Sequence, residues 1–306
     1  MRLFTRFVDA AALFPPACAP MEEALPAYRA AATTTDPVVG RFLCPASRIA
    51  ELRTHLIPED LLDLGLIADT GVAELPKALD AARSEPRVRL GSVEITLPEE
   101  ADQARAAAVT IARLPSDVPT YIEVRRAPGW RDILDRLAAA RARGAPLGAK
   151  LRTGGLAAEA FPSTAELAAF IAACAERDMP FKCAAGLHHA VRHTDPATGL
   201  THHGFLNVLL AVSRAATPAY DHFMTPLEHT LQQILDRTDT AAIASDAAAV
   251  AAAVAGTAPP PEAVRRLLTS ISSCDIDSPR TELTGLGLVQ SGDTGNIDPH
   301  DDGFVG

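Results

Sequence analysis

G-A-K-L-R-T-G-G at residues 148–155 and P-F-K-C-A-A-G-L-H-H at residues 180–189 are short strand-like runs joined by one amphipathic segment, 164–177, with Ser163 placed to cap it. Strand, crossover helix and second strand make a parallel βαβ unit. Alternation of side chains puts Lys150 and Arg152 on one face of the first run. Lys182 takes the matching face of the second, and Cys183 turns away from it. If the runs are neighbours in a closed sheet, the two ammonium groups converge, and each makes it harder for the other to keep its proton.

The same rhythm runs outward in both directions. Strand-like segments at 7–14, 41–44, 64–68, 88–97 and 120–124 precede the pair, and one at 268–274 follows it. Helical patterns at 21–32, 48–56, 72–83, 102–113 and from 129 separate the earlier ones. Eight βα units in about 290 residues predict a single-domain α/β fold, a (β/α)8 TIM barrel, covering 1–288. Two departures are expected within it. Residues of about 187–204 form a loop holding five of the nine histidines, His188, His189, His193, His202 and His203. Helical patterns at 204–216, 220–236 and 240–254 place a helical insertion at about 217–262 before the last strand. The tail 289–306 is polar, acidic and glycine-rich, a composition that predicts disorder.

Composition narrows the function. A net charge of −10 repels phosphate backbones, and no basic stretch interleaves with aromatics, which argues against nucleic acid. The N-terminal M-R-L-F-T-R-F-V-D meets an acid too early for a secretory apolar region, and nothing approaches 18 uninterrupted apolar residues. A cytoplasmic protein with no membrane partner is expected. Five scattered cysteines carry no metal or disulfide spacing. An alanine-rich helical surface permits a homo-oligomer.

In such barrels the active site lies at the C-terminal ends of the strands. Inward positions there are unusually charged: Glu94 with Thr96, Glu123 with Arg125, Lys150 with Arg152, then Lys182. Unpaired buried charges cost several kcal/mol each, so a chain that keeps them at its centre pairs them, uses them, or both. Thr153-Gly154-Gly155 and Ala185-Gly186 follow the lysines directly, small residues that let a ligand approach the backbone.

The runs Lys150-Leu151-Arg152-Thr153-Gly154 and Phe181-Lys182-Cys183-Ala184-Ala185-Gly186 resemble the two lysine motifs of the class I deoxyribose-phosphate aldolase family, with similar spacing between them. The resemblance covers about 40 residues. It implies a (β/α)8 barrel in which Lys150 forms a Schiff base with a substrate carbonyl and Lys182 depresses its pKa. Arg152 stands where the family has a small hydroxyl residue, Ala185 replaces the first of two glycines, and Glu94 only loosely matches the family acid of the fourth strand. The last strand, S-I-S-S-C-D-I-D, lacks the glycine-rich phosphate cradle of that family.

The expected chemistry is an aldolase-like carbon–carbon lyase acting on a small anionic carbonyl compound, with no metal or other cofactor. Lys150 is the nucleophile, Lys182 its electrostatic neighbour, and Glu94, Glu123 or His188 move protons. Arg125 and Arg152 hold an anionic group, with Thr153, Gly154, Gly186, His189, His193 and Asp275 completing the substrate site. Two rivals stand beside this reading. His189 and His193, four apart, could join Asp195, His202 and His203 in a zinc shell serving a hydrolase or isomerase, although Pro196 and Gly199 oppose a continuous helix there. The other rival is a barrel that binds a metabolite without turnover.

Overall fold

The computed structural model describes residues 3–32, 38–98, 102–217, 226–253 and 259–290. Strands and helices alternate along the chain: β1 (Val8–Ala10), α1 (Met21–Ala32), β2 (Val39–Pro45), α2 (Ile49–His55), β3 (Leu62–Ile67), α3 (Leu75–Arg83), β4 (Val88–Thr96) and α4 (Gln103–Ile111). They continue through β5 (Thr120–Glu123), α5 (Trp130–Arg141), β6 (Leu147–Arg152), α6 (Thr164–Glu176) and β7 (Phe181–Ala184). After β7 come a two-stranded ribbon, β8 (His193–Thr194) with β9 (Thr201–His202), and then α7 (Phe205–Ala216), α8 (Leu227–Leu235), α9 (Thr240–Ala252) and α10 (Pro261–Leu267). The chain closes with β10 (Leu268–Ser273) and α11 (Asp277–Gly285).

Eight parallel strands form a closed barrel in the order β1-β10-β7-β6-β5-β4-β3-β2, so the fold is the (β/α)8 TIM barrel that the sequence rhythm predicts. The core is one continuous cluster between staves and outer helices, built from Leu, Ile, Val and Ala with a few phenylalanines. Local signals place several boundaries. Ser163 and Glu166 form a reciprocal capping box at the start of α6. Gly144 takes a positive φ of 94° just past α5, a conformation that costs glycine nothing. β1 is shorter than the 7–14 run because the chain turns away at Ala11, before Pro15-Pro16.

The insertion differs from its sequence reading in detail. Helix α7 is buried along nearly its whole length, from Phe205 to Ser213, because α8, α9 and α10 pack over it and it lies against β10. The expected helix over 220–236 begins at Leu227 among the described residues, and 218–225 lie outside them. The tail beyond Gln290, expected to be disordered, also lies outside the described residues. Helix α11, following the last strand, was not anticipated, since its only periodic apolar positions are few and it reads as polar. Among the described residues no helix is long and apolar enough to cross a membrane.

His203 fastens the histidine loop to the barrel: its Nε2 lies 2.7 Å from the Pro162 carbonyl, at the entrance to α6. Burial holds its pKa down at about 4. Below the ordinary histidine value of 6.5 the unfolded chain binds a proton that folded His203 refuses, so stability is present above pH 6.5 and declines as pH falls to about 4. Urea midpoints measured from pH 7 to 4 should therefore fall, and the slope should be shallower in His203→Gln, whose amide can still donate. An unchanged slope in that variant would remove His203 from the acid limb.

Candidate active site at the carboxyl end of the barrel

Parallel register sets the site. Glu123 of β5 pairs with Lys150 of β6, which pairs with Lys182 of β7, which pairs with Ser270 of β10. All four side chains therefore reach the barrel axis at one level. Lys150 Nζ sits 2.9 Å from Glu94 Oε2 and 3.1 Å from Glu123 Oε2. Lys182 Nζ sits 2.5 Å from Glu94 Oε1 and 2.6 Å from Asp9 Oδ2. One carboxylate, Glu94, thus holds both ammonium groups, one on each oxygen. Asp9 is anchored in turn by the Ser270 hydroxyl at 2.7 Å and the Arg41 amide at 2.9 Å, with the Arg41 guanidinium at 3.7 Å. Lys182, Asp9 and Glu94 are essentially sealed, whereas Lys150 keeps 7% of its surface.

This geometry reverses one expectation. The lysines do converge, well within the ~10 Å over which bare charges interact, but carboxylates lie between them. Burial alone would lower both pKa values; Glu94 and Glu123 around Lys150, and Asp9 and Glu94 around Lys182, outweigh it and raise both. Lys182 still opposes protonation of Lys150, as a lesser influence. Burial likewise pushes Glu94 up, yet Lys150 and Lys182 hold its carboxyl at about 2. Glu123 is lowered in the same way, with Lys150 and then Arg152 overcoming burial. In the resting site the proton belongs to lysine.

Above the cluster opens a cavity of about 1280 Å³, with Lys150, Glu94 and Glu123 at its floor. The remaining sequence-derived candidates divide. Arg152 is on the wall, half-exposed, its Nε 3.5 Å from Glu123 Oε1. His188 is also there; its Nδ1 is 2.8 Å from the Ser273 hydroxyl, which itself donates to the Asp275 carbonyl. That oxygen must then accept from His188, which fixes Nδ1 as the protonated nitrogen and leaves Nε2 basic. Burial lowers the His188 pKa, so the imidazole is neutral at pH 7. His189 and His193 line the mouth, the first 2.6 Å from Glu282 Oε1 and the second 3.2 Å from the Val191 carbonyl.

Other candidates support the site without facing it. Arg125 lies outside the cavity lining and donates to the Leu97 carbonyl at 3.1 Å. Thr153 is fully buried and donates to the Ala185 carbonyl at 2.6 Å, tying the loop after β6 to the loop after β7. Gly154 and Gly186 are small for each other, not for a ligand: a Cβ on Gly154 would come within 2.7 Å of the Gly186 Cα. Gly186, at a φ of 77°, remains on the cavity wall. Asp275 also reaches the wall, while its carboxylate caps α11.

Two groups escaped the sequence reading. Asp9 is the counter-ion of Lys182, and its signal was a lone acid inside the apolar run Phe7-Val8-Asp9-Ala10-Ala11. Ser272 of β10 lies on the cavity wall, one inward position above the lysine level, and its buried hydroxyl has no hydrogen-bond partner among the described residues. His189 meets His193 edge to face with ring centroids 4.4 Å apart, His193 stacks on His202 at 5.2 Å, and among the described residues no three His, Cys, Asp or Glu are grouped to hold a metal.

A closed barrel with a lysine–carboxylate cluster under an open mouth is the class that fold and site define. No family model, curated protein or solved structure matches the chain.

Removing one member of the cluster should cost more than removing a pair. Lys182→Met leaves Asp9 and Glu94 short of a counter-charge in a sealed volume, with an expected loss of about 3–5 kcal/mol. Asp9→Asn combined with Lys182→Met should recover part of it, measured as a coupling in urea unfolding. Additive losses would show that the two groups do not depend on each other.

Proposed function

We propose that this protein is a Schiff-base-forming lyase, aldolase-like, working in the cytoplasm on a small-molecule carbonyl compound. The observation that carries the proposal is the position of Lys150, an amine at the floor of an open cavity, held between two carboxylates able to take its proton. Usage of lysine supports it. The chain has only three lysines among its 28 Lys and Arg residues; Lys77 is exposed on α3, and the other two are at the barrel centre. Arginine cannot be deprotonated in a protein, so lysine at the floor retains an option that arginine lacks.

The steps balance within the site. Lys150 passes a proton to Glu123 or Glu94, and its lone pair attacks the carbonyl carbon. Two protons, one from the amine and one returned by the carboxylic acid, leave with the carbonyl oxygen as water, giving a protonated imine. The iminium then draws the electron pair of the adjacent carbon–carbon bond, forming an enamine. That bond breaks as the β-hydroxyl yields its proton to a base and becomes the carbonyl of the departing fragment. Neutral His188, with Nε2 unprotonated, is a base on the cavity wall. Passing a proton from ammonium to carboxylate creates no new net charge in the buried volume, which keeps its cost below that of expelling the proton to water. Lys182 supports the step by holding Glu94 and opposing the charge on Lys150. The lone Ser272 hydroxyl, one layer higher, offers a hydrogen bond to the carbonyl oxygen.

Incubation with acetaldehyde, acetone and pyruvate followed by borohydride should give a reduced adduct that peptide mapping places on Lys150. Lys150→Met should lose it, and Glu123→Gln should slow its formation by about 10²–10⁴-fold if Glu123 is the proton acceptor. Adducts confined to Lys77 and the chain's amino terminus would sink the proposal.

A further inference from the structure

We propose that the compound meeting Lys150 is unphosphorylated and carries an extended apolar group, an aryl ring or alkyl chain, seated on the wall formed after β1, β2 and β3. This deepens the Schiff-base reading and rests on it for the reacting end of the molecule.

Donors at the usual phosphate position are already engaged. In (β/α)8 enzymes the amides of the loops after the seventh and eighth strands, with a following helix N-terminus, are where a phosphate docks. Here the chain's own carboxylates take three of those amides. Asp275 Oδ1 accepts from Asp277 N at 2.9 Å and Ser278 N at 3.2 Å, satisfying the start of α11. Glu282 Oε2 accepts from Ala190 N at 2.5 Å in the loop after β7, and Glu282 Oε1 holds His189. A phosphate brought there would face two carboxylates and find these donors spent, a combination that costs binding through repulsion and through unmet hydrogen bonds. The glycines of the loops after β6 and β7 do not form an alternative cradle, because Gly154 and Gly186 pack against each other.

The opposite wall is apolar. Phe14, Pro16, Leu43 and Ile67 present apolar surface from the β1–β3 side, and Phe161 and Leu156 face the cavity from the loop after β6. Leu156 is 76% exposed, among the few large apolar side chains left in water, and it stands at this mouth. A cavity of about 1280 Å³ exceeds the roughly 300–1,000 Å³ usual for small-ligand pockets and has space that a three- or four-carbon substrate would leave to water. Apolar walls around such a space favour a ligand whose burial releases that water.

The test uses three probes on the full chain. 3-Phenylpropanal and glyceraldehyde 3-phosphate are compared by borohydride trapping at Lys150, and 3-phenylpropan-1-ol, which cannot form an imine, is titrated by calorimetry. Half-maximal trapping is expected at a concentration at least about tenfold lower for 3-phenylpropanal than for the phosphorylated aldehyde. The alcohol should bind, and Ile67→Glu and Leu156→Glu should each weaken it about tenfold or more. Equal or better trapping of glyceraldehyde 3-phosphate overturns the inference, and so does alcohol binding that both variants leave unchanged. Binding of the alcohol that the variants abolish, with no aldehyde ever trapped on Lys150, upholds the apolar wall and sinks the imine.

Discussion

Glu94 accepting one buried lysine on each carboxylate oxygen is the contact on which the rest of the site depends. Two ammonium groups cannot share the axis of a dry barrel unless a negative charge stands between them, since removal from water costs several kcal/mol per ion even after relaxation. Glu94 supplies that charge from β4, two strands away from Lys150 and three from Lys182. The five buried charges are two ammoniums and three carboxylates, with Arg41 and Arg152 reaching in from opposite edges. The set therefore runs as a chain of alternating sign along the barrel, from Arg152 at the open mouth through Glu123, Lys150, Glu94, Lys182 and Asp9 to Arg41.

That alternation gives the two lysines different roles despite their adjacent positions. Lys182 has carboxylates on both sides and no opening to the cavity, so its proton has no exit and its contribution is a fixed charge. Lys150 has the same kind of partners but lies under open space. Its raised pKa and its proposed nucleophilicity are compatible because the quantity that matters in the reaction is the difference between its proton affinity and that of the neighbouring carboxylate. On that proposal, a carbonyl approaching from the cavity would shield Glu123 from solvent and make that carboxylate a better proton acceptor, narrowing the difference. Mutual repulsion between the amines, on its own, would have produced a neutral lysine at rest. The carboxylates replace that arrangement with one in which the proton is stored a hydrogen bond away.

The barrel was legible in the sequence because its evidence is repeated. Eight strand-like runs with helices between them, the Ser163 cap and the Gly144 stop all rest on local rules of alternation and capping, and each agrees with its neighbours. The inward lysines and Glu94 and Glu123 followed from alternation within single strands. Asp9 was missed because β1 gives only three residues of regular strand, too few for a period to declare itself. Its pairing with Lys182 joins residues 173 positions apart across the closing seam between β1 and β10, which no local pattern encodes. Thr153 and Gly154 were assigned to the ligand for a related reason. Smallness just past a strand has two causes, contact with a ligand and contact with another loop, and only the folded arrangement separates them.

The polar axis also dictates where the barrel can be large and where it must be small. Large side chains crowd the barrel interior, and glycines on the staves give them room. A Cβ on Gly148 would meet the Tyr121 ring at 2.7 Å, and one on Gly65 would meet Leu43 at 2.4 Å. Gly91 gives room to the Arg41 guanidinium in the same way, with its Nε 3.0 Å from where a Cβ would lie. A barrel filled with branched apolar residues in regular layers would bury no ions. Keeping both glycines and ions costs backbone entropy and desolvation. The glycines of β4 and β6 thus serve the lysine cluster indirectly, because Gly91 gives Arg41 and Gly148 gives Tyr121 the space beside it, while Gly65 of β3 makes room for Leu43 on the cavity wall.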